Sequence, residues 1–182
     1  MLNHVGTRIL ETPHLVLRQF EAKDAAAMFA WTGDGQVTRF LRFAAHTSVE
    51  DARAVLRQWC ESYRDPAFYQ WAITEKETSR AVGSIGLFTL NAHDRSGEVG
   101  FCLLRECWGR GYMSEALAAV LDFGFHTVGL NRIEGVHSEF NPAPGAVMRR
   151  CGMQYEGMSR QLYYCSEGFQ DCHRYARLKS DR

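Results

Sequence analysis

The stretch Val99-Gly100-Phe101-Cys102-Leu103-Leu104-Arg105-Glu106-Cys107-Trp108-Gly109-Arg110-Gly111-Tyr112-Met113-Ser114-Glu115-Ala116 constrains this chain more than any other. An apolar strand runs through a glycine loop into the start of a helix. Gly109 and Gly111 let the main chain turn tightly and approach a ligand, while the unsatisfied N–H groups and positive dipole end of the helix face whatever sits there. A pyrophosphate fits such a cradle. Ser114 can add a hydroxyl, and Arg105 or Arg110 can add local positive charge. A glycine loop taken alone is also compatible with a plain connection.

Two other meanings of these motifs fail on context. Gly109-x-Gly111-x-x-Ser114 approximates a dinucleotide fingerprint, and Glu134 stands roughly where its ribose acid should be. But Glu134 reads as lying inside a strand, and fewer than fifty residues follow it, too few for the rest of that fold. Asp122-Phe123-Gly124 spells a kinase magnesium motif, yet it sits within an apolar-periodic helix of a chain too short for a kinase.

At 182 residues, the chain fits one domain spanning 1–182 with room for a sizeable core. Its 21 basic and 21 acidic side chains cancel, so it lacks the bulk attraction that nucleic-acid or anionic-membrane binders use, and neither partner is expected. Any anionic ligand must be held locally. No stretch approaches the length of a spanning helix and no leader pattern opens the chain, so a cytoplasmic location is expected. The six cysteines (Cys60, Cys102, Cys107, Cys151, Cys165 and Cys172) form no C-x-x-C pair, which favours reduced structural thiols. Cys165, Cys172 and His173 fall short of the four partners a zinc site needs, so no metal is expected.

Periodicity supplies the order of elements. A strand at Leu15 to Phe20 precedes a helix capped by Asp24 and running through Ala30 or Trp31, which Gly33-Asp34-Gly35 breaks. Thr47 and Glu50 form a capping box for a helix carrying Val49, Ala52, Val55, Leu56 and Trp59 until Asp65-Pro66. Strands follow at Tyr69–Thr74, Ala81–Leu90 and Glu98–Leu104, then a helix from Tyr112 to His126 ended by Gly129. Arg132–Ser138 reads as a strand and Pro142–Arg150 as a short helix closed by Gly152. Two strands lie within Gln154–Tyr164 and Phe169–Leu178. The sum is a mixed α/β sheet.

With these residues assembled, the sequence resembles the GNAT N-acetyltransferase superfamily, in the branch of the ribosomal-protein N-acetyltransferases. The likeness runs nearly end to end. It is carried by Thr12-Pro13-His14-Leu15-Val16-Leu17-Arg18, Val37-Thr38-Arg39-Phe40-Leu41, Gly83-Ser84-Ile85-Gly86-Leu87 and the Trp108–Ala116 segment. Leu130-Asn131-Arg132-Ile133, Asn141-Pro142-Ala143, Gly152-Met153, Glu156-Gly157, Asp171 and Tyr175 complete it.

The resemblance implies a GNAT fold of the α/β (α+β) class. Its central mixed, mostly antiparallel seven-stranded sheet would be flanked by about four helices and splayed between its fourth and fifth strands, at Glu98–Leu104 and Arg132–Ser138. It implies acetyl-CoA as cosubstrate, its pantetheine arm bonding to the backbone of Phe101, Cys102 and Leu103. The pyrophosphate would lie on amides from Trp108, Gly109, Arg110, Gly111, Tyr112, Met113 and Ser114, with Asn141 on the far side. Transfer would be direct attack by a neutral amine in a ternary complex. The acceptor would be a protein N-terminus or a small-molecule amine, and the protein a monomer or homodimer.

An α-amine with pKa ~8 is roughly a tenth neutral at pH 7, and a lysine near 10.4 far less, so a base helps either substrate. Glu98, at the start of the acetyl-binding strand, is the candidate catalytic base. Pro144 and Met148 replace a serine and a tyrosine common among relatives, which leaves the general acid unassigned and keeps a non-catalytic acetyl-CoA sensor or scaffold of the same fold as the alternative. The acceptor pocket is expected around Phe40, Trp71, Asn91 and His93.

Overall fold

The computed structural model describes residues 1–181. One sheet holds eight strands in the order β1-β2-β3-β4-β5-β6-β8-β7. These are β1 (Leu10–Glu11), β2 (Leu15–Arg18), β3 (Tyr69–Glu75), β4 (Ala81–Asn91), β5 (Ser96–Leu103), β6 (Arg132–Ser138), β7 (Gln154–Cys165) and β8 (Gly168–Leu178). The helices are α1 (Ala25–Thr32), α2 (Gly35–Thr38), α3 (Val49–Ser62), α4 (Tyr112–Phe123) and α5 (Ala143–Arg150). Eight strands and five helices replace the expected seven and about four because β1 has two residues and α2 four, too short to leave a periodic signal. The mixed α/β class is as expected.

Covering layers explain which strands are apolar throughout. Phe123 of α4 stacks edge-on against Tyr69 and Trp71, at centroid distances of 5.8 and 5.5 Å, while α1 packs beneath the other face of β4 and α3 packs on α1. With both faces covered, β3 and β4 are buried along most of their length. In α4 the spacing of Met113, Ala116, Leu117, Val120 and Leu121 places all five in the core. A single π turn, Gly124–Val128, extends that helix until Gly129 ends it at φ +87°.

Two helix starts differ from expectation. The reciprocal cap of α3 is Ser48 with Asp51, one residue beyond the expected Thr47 and Glu50. The short Asp51 carboxylate accepts the N–H of both Thr47 (2.8 Å) and Ser48 (3.1 Å), so the first helical residue is Val49. Asp24 donates no cap to α1. Its carboxylate turns back to the N–H of Glu21 (2.8 Å) and takes two bonds from the Arg18 guanidinium, at 2.8 and 2.9 Å.

The feature that organises the molecule is the junction of β5 and β6. These are the sheet's parallel neighbours, and they pair only at Ser96↔Arg132, Gly97↔Ile133 and Glu98↔Glu134. Beyond that point β5 stays with β4 as far as Leu103, and β6 stays with β8 as far as Ser138. The strands therefore part, and residues 99–103 and 135–138 face each other across a wedge with Glu98 and Glu134 at its apex. Met148 of α5 fills the inner end on one face, its sulfur 2.7 Å from where a side chain at Gly135 would begin.

Candidate active site

The loop from β5 to α4 has the local geometry expected of an anion cradle. Gly109 and Gly111 adopt φ +77° and +81°, a region costly for any residue with a Cβ, and nothing lies within 4 Å of where that Cβ would be. Space over the loop is thus open. Among the described residues, the N–H groups of residues 109–114 find no backbone acceptor, since the first helical bond here is Glu115 N–H to Gly111 O. The Ser114 hydroxyl is buried at the same helix end without a partner. A buried orphan hydroxyl beside a row of free amides is costly unless a ligand completes it, so these residues fit a phosphate-bearing group.

Neighbouring side chains hold this loop in place. The Trp108 indole donates to the carbonyl of Leu103 (2.8 Å), fastening the loop to the end of β5. Glu115 ties the start of α4 to the β1–β2 turn, accepting from the Thr12 hydroxyl, the His14 N–H (2.8 Å) and the His14 ring (2.9 Å). Burial alone would raise the Glu115 carboxyl, but these three donors hold it below its usual value. Arg105 is committed to Asp34 (3.0 Å) and Gln36 (3.0 Å), whereas Arg110 meets Glu75 at the longer distance of 3.8 Å and lies beside the Tyr112 side chain. Of the two candidate cations, Arg110 is the freer.

Along β5 the side of the strand towards β6 is unpaired from Val99 to Leu103, leaving main-chain groups of Val99 and Phe101 and the Leu103 N–H at the wedge; the main chain of Cys102 pairs with Ser84 of β4, and Leu103 O is held by Trp108. The Cys102 side chain is not part of that edge. Its thiol meets the Ser84 hydroxyl at 3.3 Å under α1, and burial pushes it up, which keeps it protonated. Across the wedge, Asn141 opens α5, its N–H donating to Ser138 O (2.9 Å). Met148 is buried and apolar, and Pro144 is half-buried, so neither position offers a proton.

His137 on β6 carried no sequence signal. Its Nδ1 lies 2.8 Å from the Ser138 carbonyl, which can only accept, so Nδ1 bears the proton and Nε2 presents a lone pair. That nitrogen is buried and unpartnered, pressed against Gly145, where a side chain would come within 2.4 Å of it. Burial, with His173 and Arg149 nearby, lowers the imidazole pKa and keeps it neutral. Glycine at 145 is what lets α5 close on β6.

At the apex, Glu98 lies on the α1 side of the sheet with a quarter of its side chain exposed, and it meets Arg42 at 3.1 Å. Arg42 comes from the segment after α2, which the β7–β8 hairpin fixes through Tyr163, Ser166 and Glu167. Its guanidinium lies over the Tyr163 ring at 5.0 Å, the Tyr163 hydroxyl donates to Phe40 O (2.9 Å), and the Ser166 hydroxyl donates to Arg39 O (2.9 Å). Burial pushes the Tyr163 phenol up to about 12. Phe40 is half-buried beside this group. Trp71 is not: it is fully buried, its indole donating to Arg8 O (2.7 Å), a core side chain facing α4. Asn91 and His93 lie together in the exposed β4–β5 turn, where Asn91 Oδ1 accepts the N–H of His93 (2.9 Å). Arg42, absent from the sequence reading, and Tyr163 stand beside Glu98, whereas Trp71 lies on the opposite face of the sheet.

Among the described residues no group of three or more His, Cys, Asp or Glu converges as a metal site, and no helix is long and apolar enough to cross a membrane.

Comparison with known proteins agrees with this geometry. Residues 14–154 match the family model of the acetyltransferase (GNAT) domain. The uncharacterized N-acetyltransferase YoaA of Bacillus subtilis is 33% identical over 156 residues, 86% of this chain and 88% of that protein. Among solved structures, a GNAT-family acetyltransferase from Bacillus anthracis superposes with a TM-score of 0.84 at 24% identity, covering 96% of this chain and all of that one. RimL, a ribosomal L7/L12 α-N-protein acetyltransferase crystallised with coenzyme A, superposes at 0.83 and 20% identity, over 94% of this chain and 98% of its own. A wedge between parallel strands, a glycine cradle at its mouth and a family match over most of the chain lead to one statement: this chain belongs to the GNAT acetyltransferases.

Proposed function

We propose that the protein transfers an acetyl group from acetyl-CoA to a primary amine by direct attack within the wedge. The observation that carries this reading is the alignment, along one wedge, of free main-chain amides and the orphan Ser114 hydroxyl at the mouth, an unpaired β5 edge in the middle and the Glu98 carboxylate at the apex. Acetyl-CoA, when bound, supplies an activated thioester acyl group. The amides of 109–114 and Ser114 would hold its pyrophosphate, the main chain of Phe101 and the Leu103 N–H would hold its arm, and Asn141 would contact it from α5. That RimL crystallised with coenzyme A on the same architecture supports this assignment.

Glu98 takes the proton that the amine must lose. Its partner Arg42 is half-exposed, and an exposed ion pair contributes little, so the pair opens readily when an amine arrives. A main-chain N–H on the free β5 edge faces the oxygen that gains negative charge, usually a large contribution in acyl transfer. With Met148 and Pro144 unable to donate, the leaving thiolate collects its proton from water.

The test is release of free CoA with a panel of amines. Glu98→Gln should lower turnover by about 10²- to 10⁴-fold at pH 7 and less at pH 9, where more of the amine is already neutral. An equal loss at both pH values would remove Glu98 from the role of base.

A further inference from the structure

We propose that Arg42 selects the acceptor by binding a carboxylate adjacent to its amine, so that the substrate class is the free α-amino acid rather than a peptide terminus or a polyamine. This rests on the proposed transfer to an amine at Glu98.

The charge inventory at the apex argues first against polycations. Near Glu98, the carboxylates of Glu98, Glu134 and Glu156 meet the guanidiniums of Arg42, Arg132 and Arg174, and Arg39 pairs with Glu167. Glu134 is taken by Arg174 (2.8 Å) and Arg132 (3.3 Å), and Glu156 by Arg132. These pairs are balanced, with no surplus of acid among them to draw in a ligand of several positive charges.

Arg42 differs from the other two arginines in how it is held. Its position does not rest on the carboxylate alone, because the Tyr163 ring also lies under its guanidinium and the Tyr163 hydroxyl is itself anchored to Phe40 O. When Glu98 turns to an amine, the guanidinium keeps its place and loses its anion. A peptide N-terminus offers only a neutral carbonyl there. A free amino acid offers a carboxylate two bonds from its ammonium group, so one molecule replaces both halves of the Arg42–Glu98 contact. Guanidinium geometry also suits a carboxylate in a bidentate contact, and Arg42 is exposed enough to accept one.

The experiment measures acetyl-CoA-dependent CoA release with each L-amino acid, its α-amide, a peptide mixture and spermidine. Turnover of free acids, with kcat/KM about 10- to 100-fold above the matching amides, is expected. Arg42→Gln should erase that ratio through KM, and Arg42→Lys should restore part of it. Equal use of acids and amides, or turnover of amides, peptides or spermidine without acids, overturns the role of Arg42 while leaving acetyl transfer standing. No turnover of any amine, with acetyl-CoA binding intact by calorimetry, overturns both readings.

Discussion

On the β5 side of the wedge the ligand would meet main chain; on the side formed by β6, β8, β7 and the segment after α2 it would meet charged side chains held by ion pairs. The first wall is backed by β3 and β4, buried on both faces, and by α4, so its shape is set before any ligand arrives. The outer hairpin of the second exposes Tyr155, Met158, Tyr164 and Phe169, and it fastens to the rest through Tyr163, Ser166 and the Arg39–Glu167 pair (3.1 Å). A rigid main-chain wall suits a ligand that never varies; contacts between exposed side chains can be exchanged when the acceptor changes.

Cutting into the core of the first wall should have the largest effect. Leu117, fully buried in α4, should cost about 2–5 kcal/mol on replacement by Ala in urea unfolding, whereas Met158→Ala on the outer hairpin should stay within about 0.5 kcal/mol. Comparable losses would mean that both walls share one core. Next, Gly111→Pro should weaken acetyl-CoA binding by about 100-fold in calorimetry with the fold largely retained, since proline is locked near φ −65° and cannot adopt +81°. Unchanged affinity would remove the cradle from cofactor binding. The smallest effect tests the latch between α4 and the β1–β2 turn. Glu115 has a folded pKa below its ordinary 4.5, so its contribution is present above that pH and fades as pH falls through the lower folded value. Glu115→Gln should lose about 1 kcal/mol at pH 7 and progressively less as pH falls below 4.5; a loss independent of pH would assign the latch to shape rather than charge.

The same contrast governs what could be read from the sequence. Gly109, Gly111 and Ser114 lie within six residues of chain, so the glycine spacing and helix start made the geometry of the loop legible. Glu98 was legible as a strand residue, although β5 begins two residues before it, at Ser96. The pairing of Arg42 with Glu98 and that of Tyr163 with Phe40 were not, because they span 56 and 123 positions, and no local pattern encodes them. Trp71 misled in the opposite direction: an aromatic in a strand looks the same whether its neighbour is a ligand or Phe123. The capping box slipped by one residue because Thr47-x-x-Glu50 and Ser48-x-x-Asp51 satisfy the same pattern, and only the helix start decides between them.

The three-rung junction between β5 and β6 has a consequence for solubility. Each arm beyond it carries a short run of unsatisfied strand edge, the kind of template on which foreign chains add and aggregates grow. Most soluble proteins put such edges on the outside and blunt them; here both lie inside the molecule, facing each other across a gap whose inner end Met148 closes on one face. An intruding strand would have to enter between two halves of a folded protein, so the geometry that keeps the edges available to a ligand also shields them from other chains.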